Sequence, residues 1–204
     1  MIVEMRSYLL KPRSVPAVEE RIGAGMPVRS RYSKLGGFWH TEVGTLNSVI
    51  HIWPYESFAH REQVRAELAK EKDWPPNIRE FVVEMKVDFL TAAPFSPPLE
   101  PRTLGGLYEI RSYTYQNGAI PTVMSRWAEK IEARTKLSPL AACGYSETGT
   151  LSRWLHIWAY KDFAHREQVR ADAVKQGIWP PGTAELLIKQ ENILAAPASF
   201  SPLR

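Results

Sequence analysis

The feature that most constrains this chain is that it is written twice. Glu4-Met5-Arg6-Ser7-Tyr8 returns as Glu109-Ile110-Arg111-Ser112-Tyr113, and the same 105-residue offset (109 − 4) carries His51-Ile52-Trp53-Pro54-Tyr55 onto His156-Ile157-Trp158-Ala159-Tyr160. The nine residues from Phe58 to Ala66 recur unchanged from Phe163 to Ala171, Trp74-Pro75-Pro76 lands on Trp179-Pro180-Pro181, and no gap is needed anywhere. A long exact offset of this kind is a duplicated structural unit, and two copies are too few for a solenoid. Between the copies, residues 92–102 hold four prolines in eleven positions, which excludes a helix interior or a central strand. The expected organisation is therefore a first repeat over 1–91, a stiff proline-rich linker over 92–105 and a second repeat over 106–204.

Each repeat reads as β-α-β-β-α-β. In the first, alternation predicts strands over 2–9, 38–44, 48–55 and 81–90, with a turn near Thr45-Leu46-Asn47 and a helix from about Glu56 to Lys70 stopped by Trp74-Pro75-Pro76. The other helix shows better in the second copy, where Ile120, Val123, Trp127 and Ile131 recur at helical spacing after a permissive Pro121. In the first copy Gly23, Gly25 and Pro27 predict an irregular middle. This order is the ferredoxin-like arrangement, an antiparallel sheet with both helices on one face. The fold class is thus α+β, with two such repeats bringing their sheets face to face as a barrel.

Strand parity then sorts the side chains. Ile50 and Ile52 share one face of their strand, and His51, Trp53 and Tyr55 the other; Ile157 stands against His156, Trp158 and Tyr160 in the same way. In the first strand Val3 and Met5 oppose Glu4, Arg6 and Tyr8, matched by Glu109, Arg111 and Tyr113. The aliphatic face suits the helices, so the expectation is that the aromatic and imidazole face lines the barrel interior. The packing reading has the aromatics filling space and Glu4 pairing internally with Arg6. The functional reading is a pocket for a small, partly aromatic ligand, walled by Trp53, Trp158, Tyr55 and Tyr160 with Arg6 and Arg111 as polar contacts. His51, His156, Tyr8 and Tyr113 are then the candidate acid–base groups, because imidazole titrates near neutrality.

Other chemistry is scarce. The five histidines show no H-E-x-x-H and no close pairing, so no metal site is expected. His60 and His165 read as capping or surface residues, and Arg61 with Arg65, like Arg166 with Arg170, share a helix face as structural ion-pair partners. The single cysteine, Cys143, aligns with Phe38 and reads as a buried small hydrophobe. A net charge of +4 without a basic tract gives no nucleic-acid or membrane patch, and no apolar run is long enough for a span; a cytoplasmic protein is the default.

The segments EMRSYLLKP (4–12), HIWPYESFAHREQVRAEL (51–68) and the WPP that follows resemble the NIPSNAP family, and the resemblance extends over both halves. It implies a dimeric α+β-barrel fold, here an intrachain pseudo-dimer, with a homodimer of two chains through outer surfaces as a further expectation. Families sharing that barrel include cofactor-free monooxygenases and haem-handling enzymes. The resemblance thus allows cofactor-independent oxygenation of an activated aromatic, with haem on His51 or His156 as a second candidate. A non-catalytic interaction or scaffold module is the alternative from another class.

Overall fold

The computed structural model describes residues 1–204. The first repeat runs β1 (Ile2–Leu10), α1 (Val15–Arg29), β2 (Gly37–Val43), β3 (Ser48–Tyr55), α2 (Phe58–Leu68) and β4 (Val82–Ala92). The second runs β5 (Leu107–Tyr115), α3 (Ile120–Thr135), β6 (Leu140–Ser146), β7 (Arg153–Tyr160), α4 (Phe163–Lys175) and β8 (Leu187–Pro197), with a short 3₁₀ turn at Ala184–Leu186. The eight strands close into one barrel in the order β1-β3-β2-β8-β5-β7-β6-β4, every neighbouring pair antiparallel. Each repeat keeps the ferredoxin-like order 4-1-3-2. The two sheets meet edge to edge at β2–β8 and β4–β6, so their inner faces look at each other across the barrel. At the second seam a Cβ on Gly144 would sit 2.4 Å from the Thr91 carbonyl oxygen, so only glycine lets the strands approach.

The inner faces are mostly aliphatic. Val3, Met5, Ile50 and Ile52 from the first repeat pack with Ile110, Leu155, Ile157 and Ala159 from the second in a single core. Two other cores lie outside the barrel wall, one under each helix pair. Val18 and Ile22 of α1 and Val64 of α2 pack with Tyr8, Trp53 and Tyr55. Val123, Trp127 and Ile131 of α3 and Val169 of α4 pack with Tyr113, Trp158 and Tyr160. This reverses the expected facing: His51, Trp53, His156 and Trp158 point at the helices, and the barrel interior is filled mainly by aliphatic side chains, with Trp39 and Tyr108 packed among them. In this fold both faces of every central strand are buried, so alternation separates the faces without marking which is inner. A closed eight-stranded barrel leaves an interior just wide enough for side chains to fill, and here Trp39 and Tyr108 take up the space the aliphatics leave.

The α1 helix is continuous from Val15 to Arg29 despite its glycines. Gly25 is needed for close approach, since a Cβ there would lie 3.1 Å from the Trp74 ring. The linker is not a free spacer. Arg102 and Leu203 form a parallel bridge, and Leu99 and Leu203 both enter the barrel core.

Candidate functional site

The second repeat holds a cleft of about 390 Å³ between its sheet and its helices. Its floor is β5 and β7, presenting Glu109, Arg111 and Tyr113, then His156, Trp158 and Tyr160; α3 adds Trp127 and Arg134, α4 adds Arg170 and Ala173, and the Trp179-Pro180-Pro181 segment forms a lip. Alternation on two adjacent strands brings these floor residues together, because Arg111 lies directly across from His156 and Glu109 from Trp158. A second depression, of about 510 Å³ beside Glu19, Glu20 and Phe200, is open to solvent and holds none of the expected site residues.

The electrostatic centre is Glu109, whose side chain is fully buried. Its Oε1 accepts from Arg111 Nη1 at 2.9 Å, from Arg166 Nη2 at 2.6 Å and from Asn192 Nδ2 at 3.1 Å. Burial alone would raise this carboxyl; the Arg166 hydrogen bond and the charges of Arg111, Arg166 and Arg170 outweigh it and hold Glu109 below the usual carboxylate range. Glu4 does the same in the first repeat, accepting from Arg6 Nη1 at 2.5 Å and Arg61 Nε at 2.7 Å. Arg61 and Arg166 of the repeated FAHREQVRA segment therefore bridge to a strand carboxylate, with Arg170 3.9 Å from the same Glu109. Arg134, which the sequence did not single out, lies with its guanidinium 4.1 Å above the Trp158 ring and donates to Tyr160 Oη at 3.2 Å. With one carboxylate among Arg111, Arg134, Arg166 and Arg170, the cleft is electropositive.

His156 sits at its base. Trp158 Nε1 donates to His156 Nδ1 at 2.8 Å. An indole N–H can only donate, so Nδ1 carries the lone pair and the neutral ring carries its proton on Nε2. That Nε2–H is buried without a partner. Burial first, then the charges of Arg111, Arg134 and Arg170, keeps the ring neutral by lowering its pKa well below the ordinary imidazole range. His51 repeats the arrangement, with Trp53 Nε1 donating to Nδ1 at 2.6 Å and its pKa pushed down to about 3, mainly by burial. Both rings are thus held neutral, unlike the near-neutral acid–base group expected of an unperturbed imidazole, each with Nδ1 accepting from an indole and an unpaired Nε2–H. Axial haem ligation, the other expectation for these residues, would need a ring nitrogen lone pair, and the one each ring carries here is engaged by an indole. No cluster of His, Cys, Asp or Glu is arranged to hold a metal ion.

The catalytic and binding candidates are thus brought together, but in two separate groups outside the barrel. His51, Tyr8, Arg6, Trp53 and Tyr55 form one group, and His156, Tyr113, Arg111, Trp158 and Tyr160 the other. The groups have diverged. In the first repeat Phe38 lies opposite His51 and stacks on it at 5.2 Å, and Arg6 Nε donates to Tyr8 Oη at 2.5 Å. In the second, Cys143 replaces Phe38 opposite His156, Ala173 replaces Leu68, and Trp127 replaces Ile22 with its ring 4.7 Å from the imidazole. Trp179 closes the aromatic wall, 4.6 Å from Trp127. Trp127 and Trp179 were legible only as a helix-face residue and a helix stop. His60 and His165 behave as expected at helix starts, accepting from the backbone N–H of Glu56 and Lys161 respectively. No helix is long and apolar enough to cross a membrane.

The NIPSNAP family model matches residues 3–97 and again 108–202. The chain belongs to the NIPSNAP family. Among NIPSNAP relatives, human NipSnap homolog 3B is 31% identical over 98% of this chain and 85% of its own length. The Drosophila melanogaster NipSnap protein is 27% identical over 80% of this chain and 63% of its own length. A solved structure from Lactobacillus acidophilus described as a "putative monooxygenase" superposes with a TM-score of 0.74 at 8% identity, covering 97% of this chain and 94% of that one. One described in the same way from Fusobacterium nucleatum gives 0.64 at 8% identity, over 97% of this chain and 92% of that one. At such identities the likeness concerns the fold: the NIPSNAP tandem forms a complete ferredoxin-like α+β barrel within one chain.

Proposed function

We propose that this NIPSNAP protein binds one small aromatic ligand carrying an anionic oxygen, in the cleft of its second repeat and not in the barrel interior. One observation carries the reading. The His156 Nε2–H is a buried donor without an acceptor, at the base of an electropositive cleft walled by Trp127, Trp158 and Trp179. A buried unpaired donor is costly in a native protein, and a ligand oxygen would satisfy it. Flat aromatic walls suit a ring, and the surrounding guanidiniums suit a phenolate, enolate or carboxylate.

The chemistry this favours is stabilisation of an oxyanion by a neutral imidazole, not proton abstraction by it. An aromatic held as its phenolate or enolate is the electron-rich form that can react with dioxygen without a cofactor. The structures described as monooxygenases support that direction only at the level of fold. The test is quenching of tryptophan fluorescence by a panel of phenols and aromatic carboxylates, with phenol and benzoate as the smallest members. Saturable binding at one site per chain is expected, lost in His156→Phe and in Ala173→Leu, which restores the first repeat's bulk, and kept in His51→Phe. Binding that ignores Ala173→Leu, or a panel that never binds, would return the protein to the scaffold class.

A further inference from the structure

The barrel uses only part of β4. Leu90–Ala92 pair with β6, and Phe89 completes the seam by donating to Thr148 Oγ1 and accepting from Glu147 N. From Val82 to Asp88 the strand has β1 on one side and no strand on the other. Phe89 turns its N–H and C=O away from β1, so the antiparallel alternation turns those of Val87 and Met85 the same way, into the open. One face of this stretch carries exposed apolar side chains, Val83 at 61%, Met85 at 51% and Val87 at 38%, and the other the exposed Glu84 and Lys86. An open edge beside an apolar stripe is a template for another strand.

The sequence of the edge says which strand. Val83-Glu84-Met85-Lys86-Val87 has the same apolar pattern in both directions about Met85, with its charges reversed. Antiparallel pairing with its own copy about Met85 sets Glu84 across from Lys86 of the second molecule, and Lys86 across from Glu84. Both side chains are more than half exposed and now meet only each other along their own strand, at 3.3 Å. β8 offers a comparable open stretch, since β2 pairs only with Leu194–Pro197, and it carries Lys189-Gln190-Glu191. Pairing β4 with β8 at the equivalent register would set Glu84 against Glu191 and Lys86 against Lys189, which like-charge repulsion disfavours. β8 is also otherwise engaged, with Gln190 on the cleft and Asn192 bonded to Glu109. We propose that two copies of the chain associate through β4, edge to edge and antiparallel, with a two-fold axis at Met85. The shift in β1–β4 register at Leu9/Leu10 ends the regular edge near Val83, so the matched segment is short and the association reversible.

Sedimentation velocity of the full chain over a range of concentrations tests this. The expected result is a monomer–dimer equilibrium. Lys86→Glu, and separately Glu84→Lys, places like charges opposite each other twice and should weaken dimerisation roughly thirtyfold. The double variant Glu84→Lys/Lys86→Glu restores the complementarity and should restore the dimer, and the two single variants mixed together should pair with each other. Lys189→Glu, with circular dichroism to confirm folding of every variant, should leave dimerisation unchanged. A wild-type chain that stays monomeric throughout would mean that the edge charges guard against association, and would overturn the proposal. So would a dimer indifferent to Lys86→Glu, or a double variant that fails to recover.

Discussion

At the residue scale the two buried imidazoles set the acid response of the protein. A free histidine takes up a proton near pH 6.5, whereas His51 in the fold does so only at about 3. Between those values the unfolded chain binds protons that the native chain refuses, so stability is intact above about pH 6.5 and falls as the pH drops towards 3. Each imidazole contributes a slope of at most about 1.4 kcal/mol per pH unit in that window. Thermal melts from pH 7 to 4 should show a net fall in Tm, the two buried rings outweighing the opposite contribution of His40, whose pKa is raised by its hydrogen bond to Glu19; a Tm that rises on acidification would mean that the rings are not buried neutral. Cys143, pushed up to about 12 mainly by burial, should remain unmodified by thiol reagents in the native protein and react on unfolding. Glu109 is the residue whose loss should cost most. Glu109→Ala leaves several guanidiniums without their shared carboxylate and should destabilise the fold by roughly 3–5 kcal/mol, read by urea unfolding.

At the scale of single elements the repeats read clearly because local signals agree with tertiary demands. Ser57 and Asp162 each accept a hydrogen bond from the backbone N–H of the third residue onward, His60 and His165, and so start α2 and α4. Asp162→Ala should therefore cost about 1 kcal/mol and leave the cleft intact. Strands and connections were legible from alternation and from prolines to within a residue or two. The facing of the strands was not: Ile52 and Trp53 are both nearly inaccessible, one within the barrel and one beneath α1 and α2, and alternation treats them alike. Parity put the candidates of each repeat on one strand face, but the single enclosure expected for both is two groups outside the barrel, and the cleft over the second depends on Trp127, Arg134 and Ala173. Their roles appear only when α3 and α4 are laid over the sheet. The apparent weakness of α1 had a similar cause. Gly25 looked like a helix breaker because its reason for being small, the Trp74 ring, lies far along the chain.

For the whole molecule the decisive fact is that neither repeat owns the central core. Ile50 and Ile52 pack with Ile110 and Ile157 inside the closed barrel, so the halves should unfold together. A single urea transition is expected, with fluorescence and circular dichroism coincident, and Ile157→Ala should lower the midpoint for both probes by the 2–5 kcal/mol typical of a large-to-small core change. Two separate transitions would show the repeats to be independent domains. The clasp between linker and carboxyl terminus has a consequence for traffic. Arg102 N donates to the Pro202 carbonyl and Leu104 N to that of Arg204, so the linker is tied to the last residues of the chain, and Leu99 and Leu203 fill the barrel core with the strands. In the proposed binding mode a ligand would reach the cleft past Trp179, Pro180 and Pro181, a short irregular segment on the flank of the molecule, because the centre is already filled by its own side chains.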